Sequence, residues 1–281
     1  VGEGTNTQLF TSFDSDGYTI NTTNNSLNDS SYEYVSWNWI AGTTSGIAGS
    51  PSITPTSYSF NATSGFSMIR YTGNLTAGAT LPHGLGTSDI GMIIVKRIDG
   101  TANWQVYSEG LGPTKYWELD LATAASPSTT RWNDTAPTST LFSLGSHTDV
   151  NGSGDVYIAY VFAQKRGYSK MGSYIGNNNV DGTFVYTGFR PAYILIKNSS
   201  TTDTAVVMDN KRDGYNLENK LLQPTNADVE QAGSNGVDIL SNGFKCRKND
   251  GWTNGSGNTM VYAAFAEFPF VSSNSIPTVA R

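Results

Sequence analysis

The chain has 281 residues and only 14% of them are charged, whereas Ser, Thr, Asn and Gly together contribute 119, a composition that favours turns and strand faces over helices. An aromatic content of 12% excludes a disordered chain, and the length suffices for two domains whose cores need neither metal nor disulfide. The net charge of −6, with no stretch gathering Lys and Arg, speaks against nucleic acid; no apolar run is long enough for membrane insertion, and Cys246 has no second cysteine to pair with.

Residues 1–42 read as the end of a truncated first repeat, with a turn at Ser15-Asp16-Gly17-Tyr18 and an alternating strand over 34–39. Asp14 and Asp16 ahead of Gly17 resemble the opening of a calcium loop, but their counterparts in the last repeat are Leu240 and Asn242, which suits a turn better. Val1 falls in mid-repeat, so the parent chain is expected to continue upstream. Residues 43–64 form a Gly/Ser/Thr/Pro linker in which Tyr58 and Phe60 suit a short strand. Residues 65–165 make a complete unit. It has a buried strand at 91–96, a partner at 104–107, a glycine-rich turn at 151–154 and a closing strand over 155–162. Residues 166–171 are a junction, and 172–268 make a second complete unit with strands at 192–197 and 205–208. Only 217–231 leaves room for a helical turn or two, and 269–281 are a polar C-terminal tail.

These boundaries come from self-similarity. Asn-Gly-Ser-Gly occurs at 151–154 and 254–257, and Tyr71-Thr72-Gly73-Asn74 returns as Tyr174-Ile175-Gly176-Asn177, both at an offset of 103. Ile93-Ile94-Val95-Lys96 returns as Ile194-Leu195-Ile196-Lys197 at an offset of 101. Residues 34–39 align with 157–162 at 123, and 15–18 with 241–244 at 226, so the offsets close on one another. The expected fold is all-β: tandem antiparallel β-sandwich repeats of about 100 residues with a partial N-terminal copy.

Catalytic signatures are missing from the sequence. His83 and His147 each fit a turn or hydrogen-bonding role, Cys246 fits a small buried position, and there is no nucleophile elbow, zinc-binding helix or phosphate loop. Glu118 with Asp120 is one of the available carboxylate pairs. Neither a cofactor nor a metal is expected. A sugar site is the sharper expectation, because an indole plane stacks on a pyranose face while amides and carboxylates bind hydroxyls. Trp132 and Trp252 lie in loop-like sequence beside Asn133 and Asp250, and these four are the candidate glycan contacts. Of Trp37 and Trp39 at least one belongs to the core, and Trp104 falls on a predicted strand.

The segments GFSMIRYTGNLTAGATLPHGLG, MIIVKR, NWQVY, WNDTAPTSTLFSLGS, VNGSGDVYIAYVFA, GTFVYTGFRPAYILIK and DILSNGFK follow one another in order between residues 65 and 245, within a resemblance that extends over residues 14–268. Together they resemble a repeat domain of tail-associated structural proteins of marine bacteriophages. The resemblance implies a non-enzymatic virion protein, a tail fibre or other appendage touching the host surface, and supplies no catalytic residues. A looser similarity to the β-sandwich knobs of phage tail fibres implies a homotrimer that contacts other virion proteins and binds host surface polysaccharide. Recognition on so uncharged a surface would rest on stacking and hydrogen bonds, since high ionic strength leaves exposed ion pairs little to contribute. The alternatives are a capsid or tail decoration protein binding only virion subunits, a surface adhesin, and a polysaccharide depolymerase, which needs two carboxylates about 5–10 Å apart.

Overall fold

The structure is a computed structural model that describes residues 10–15, 17–20, 27–233 and 236–266. Asp16 and the tail at 269–281 lie outside the described residues. Strands β1 (Phe10–Phe13) and β2 (Tyr18–Ile20) make a two-stranded hairpin, with Gly17 at its turn. The first unit then follows in order: β3 (Ser57–Asn61), β4 (Phe66–Thr72), β5 (Ala79–Pro82), β6 (Ile90–Arg97), β7 (Gln105–Ser108), β8 (Lys115–Glu118), β9 (Ser126–Pro127), α1 (Thr129–Trp132), β10 (Leu141–Leu144), α2 (Thr148–Asn151) and β11 (Val156–Ala163). The second has β12 (Ser169–Ile175), β13 (Phe184–Tyr186), β14 (Pro191–Asn198), β15 (Ala205–Asp209), β16 (Val237–Leu240), β17 (Gly243–Cys246), α3 (Gly251–Asn254) and β18 (Thr259–Ala266). The protein is all-β, and every named strand pair is antiparallel.

Part of the strand order recurs between the two units, while β3, β8, β9 and β16 have no counterpart among the described residues. The order β4-β11-β6-β7 in the large sheet of the first corresponds to β12-β18-β14-β15 in the second, and the pair β5-β10 corresponds to β13-β17. The recurring motifs are the residues that lock the last crossing. Tyr71 Oη donates to Val150 O at 2.6 Å, and Tyr174 Oη donates to Thr253 O at 2.6 Å. Asn151 Oδ1 accepts from Asn74 N at 2.9 Å, and Asn254 Oδ1 from Asn177 N at 2.9 Å. Gly73 and Gly176 admit no side chain here: a Cβ would stand 2.3 Å from Gly152 O in one and 2.2 Å from Gly255 O in the other. A buried asparagine can satisfy loop backbone groups that water cannot reach, which is why Tyr-x-Gly-Asn and Asn-Gly travel together.

Packing fuses the units into four layers. One core lies between the large first sheet and β5–β10, and gathers Ile69, Leu81, Val95, Phe142 and Ala159. A second lies between β12-β18-β14-β15 and β13-β17-β16, with Ile194, Val206, Ile239, Phe244 and Met260. The outer faces of the two large sheets then meet in a third apolar seam, where Phe66, Met92, Val106 and Phe162 face Met171, Leu195, Val207 and Phe265. Both faces of β6 and β14 are therefore covered, which explains their unbroken apolar runs.

Several expectations change. Residues 34–39 are no strand: from 35 to 41 the chain alternates like one, with Val35, Trp37, Trp39 and Ala41 half-buried and Ser36, Asn38 and Ile40 exposed. Among the described residues no backbone N–H of 35–41 finds a backbone partner. What holds it is the seam. Trp39 stands 5.7 Å from the Phe162 ring and 5.2 Å from that of Phe265, which are themselves 5.7 Å apart. These three aromatics stand at positions that the self-similarity of the sequence aligns, and they meet at one cluster. The stretch 43–64 is not a free linker, because β3 extends the large sheet, Thr43 bridges Phe60, and Ile53 is buried in the first core. No helix forms in the described part of 217–231; Leu221 and Gln231 pair as an isolated bridge instead. The expected junction shortens, since β12 already starts at Ser169.

Candidate functional site

The four expected sugar contacts are built into the scaffold and not brought together. Trp132 is a correction: it is 1% exposed in the first core, edge-on to Tyr107 at 6.1 Å, so neither face of its indole can receive a sugar ring. Asn133 ends α1 in the left-handed conformation (φ 53°) and donates to Thr135 Oγ1 at 3.3 Å. Asp250 caps α3, its Oδ1 accepting from Trp252 N at 2.7 Å and Thr253 N at 2.8 Å. Trp252 is half-buried against the second core. Helix α1 packs on β8 and β10, and α3 on β14 and β15, so the two pairs belong to different units.

The strongest polar network within one unit is also occupied. Gln105 Nε2 donates to Glu118 Oε1 at 3.2 Å and to Asp149 Oδ2 at 3.2 Å, while its Oε1 accepts from Arg131 Nε at 2.8 Å. Arg131 also reaches Asp149 at 3.2 Å and lies 4.4 Å over the Tyr116 ring. Burial, with Arg131 nearby, lowers the His147 pKa despite Asp149 and Glu118. Asp120 is separately engaged, accepting from Trp104 N at 2.9 Å. His83 holds a loop: Nδ1 accepts from Leu85 N at 3.1 Å and Nε2 faces Thr138 O at 3.1 Å, which assigns the proton to Nε2. The Cys246 thiol is fully buried and pushed up to about 11 by desolvation, so it is no nucleophile. Among the described residues no cluster of His, Cys, Asp or Glu could hold a metal ion.

The open chemistry lies at the turn between β11 and β12. Lys165 and Ser169 exchange backbone hydrogen bonds of 3.1 and 2.9 Å, and Gly167 (φ 76°) turns the chain. On one side of this hairpin a cavity of about 460 Å³ is lined by Lys165, Arg166, Lys170, Tyr186, Thr187 and Asp89, among others. On the other a cavity of about 530 Å³ is lined by Asn38, Asn61, Thr63, Ser64 and Tyr168, and again by Lys165 and Arg166. Both volumes fall in the range of small-ligand sites, about 300–1,000 Å³. Among the described residues Lys165, Arg166 and Lys170 make no ion pair. The sequence carries a sign of this site that a search for longer basic stripes passes over. Lys-Arg-Gly-Tyr-Ser-Lys at 165–170 places three cations in six residues of a sparsely charged chain.

No curated protein and no solved structure matches the chain. One family does, over residues 2–269, and with nearly the whole length covered the chain belongs to it: the domain of unknown function DUF7483.

Proposed function

We propose that the protein is a non-catalytic contact module that binds glycan at the hairpin between its two units. The observation that carries this reading is the pair of cavities flanking Lys165 and Arg166, walled by hydroxyls, amides and two tyrosines. Hydroxyl and amide groups match the hydrogen bonds of a sugar, and tyrosine offers an amphipathic ring to its apolar face. In the wider reading the module belongs to a tail fibre or similar appendage of a bacteriophage particle, acts as a homotrimer beside other virion proteins, and meets the polysaccharide of a host surface. For the depolymerase alternative, Glu118 and Asp149 are already engaged, both accepting from the same Gln105 amide. A glycan array probed with the purified chain is the test. Binding to surface polysaccharides is the expected result, and binding to none of them would retire the reading.

A second reading, a decoration protein that binds only subunits of its own particle, is favoured by residues 35–41. An extended segment whose backbone N–H groups have no backbone partner among the described residues is a template for a strand from another subunit. It requires no sugar at all, so the array separates the two.

A further inference from the structure

We infer that the hairpin at 165–170 selects acidic polysaccharide, binding carboxylate or sulfate groups of one chain in the two cavities that flank it; this rests on the glycan reading above and names its ligand class. The first argument is that the cations are not demanded by the fold. At the positions aligned with them by the offset of 103 stand Ala62, Thr63 and Ser67, and the turn from β3 into β4 is built there without charge. That turn joins two strands of one sheet, whereas 165–170 joins β11 of one large sheet to β12 of the other. Three cations gathered without an ion-pair partner among the described residues, on a chain of net charge −6, repel one another, so an anion relieves them.

The second argument is placement. Lys165 and Arg166 line both cavities, so they form a ridge that a polymer would cross in passing from one to the other. The Lys165 stem lies over Gly65, which holds it at the ridge. Lys170 lies on the first side only, beside Tyr186, and Asn38, Asn61 and Thr63 line the second. Charge for the acid groups and neutral donors for the hydroxyls are thus interleaved. A nucleic acid fits less well, because so few cations on a net-negative surface neutralise too little of a phosphate backbone.

Calorimetric titration of the whole chain with polygalacturonate, dextran sulfate, neutral dextran and single-stranded oligothymidylate, each of matched length, tests the inference. The carboxylated or the sulfated polymer should bind about 10-fold or more tighter than dextran, and the preferred one identifies the acid group. Affinity should fall steeply with added NaCl. The double variant Lys165→Gln/Arg166→Gln should lose about 10-fold for the acidic polymer while keeping the wild-type melting temperature, and a Lys115→Gln control should lose little. If dextran binds as well as the acidic polymers, the acid selectivity is wrong and the glycan reading stands. If no polysaccharide binds, both fall. Unchanged binding by the double variant, or oligothymidylate binding as tight as the acidic glycan, would also overturn the inference.

Discussion

Glu218 is 1% exposed, and neither of its carboxylate oxygens has a hydrogen-bond partner. Burial, helped by Asp213 and Asp209 and opposed by Arg190 and Arg212, raises its pKa to about 7 from an ordinary 4.5. Lys197 is equally buried; its Nζ donates to Asp203 O, and desolvation lowers its pKa to about 8 from 10.5 against the pull of Asp203 and Glu118. The folded chain thus holds the Glu218 proton where the unfolded chain has lost it, so stability falls as pH rises from about 4.5 to about 7. It sheds the Lys197 proton where the unfolded chain keeps it, so stability recovers from about 8 to about 10.5. Because the lowered pKa values of His83 and His147 work against the acid limb, denaturant unfolding should show the two limbs as differences between the wild type and single variants. Glu218→Gln should flatten the acid limb and Lys197→Met the alkaline one, each by on the order of 2 kcal/mol. A Glu218→Gln profile parallel to that of the wild type between about pH 4.5 and 7 would contradict this. Residue roles were unevenly legible. A lone cysteine at a strand position two residues from Phe244 already points inward, whereas Trp132, next to Asn133 and Asp134, looks like loop until the packing of α1 turns it into the core.

At the level of elements the telling comparison is among three aligned segments. Strands β11 and β18 each sit between two antiparallel neighbours, whereas residues 35–41 have none among the described residues, although 35–41 alternates as a strand would and all three segments send an aromatic into the seam. Alternation records which side chains are buried, and it cannot say whether a neighbouring backbone lies within hydrogen-bonding distance. Hydrogen exchange should therefore release the amides of 35–41 at least about 100-fold faster than those of β11 and β18 in the monomeric chain. Equal protection would mean that another strand covers the segment. The short helices taught the opposite lesson: α2 and α3 carry the recurring Asn-Gly pair at their ends, so sequence marked the place as a turn but not the helical turn that aims the asparagine inward.

For the whole molecule the seam is the consequential feature, because it makes two similar units share one interface. Phe265 reaches Trp39, Phe162, Tyr168 and Tyr193, drawing the first segment and both units together. Calorimetry should show one cooperative transition for the chain. Phe265→Ala should cost about 3–5 kcal/mol and uncouple the units, broadening or splitting that transition. Two separate transitions in the unaltered protein would show that the seam contributes little. The hairpin at 165–170 depends on the same arrangement, since its two cavities are walled by residues of β3, of the loop before β4 and of the β13 end.

Composition, alternation and recurrence were enough to determine an all-β chain and the positions of β3, β6, β7, β11, β14 and β15, and they marked the recurring residues that close each crossing, since these depend on neighbours in sequence and on fixed spacings. Which sheet faces meet which was decided only in three dimensions. A strand with both sides apolar announces that it is covered, but not by what, and here the cover is the other unit. The same holds for the cationic hairpin: six residues supply the charge, and segments more than a hundred residues apart supply the walls.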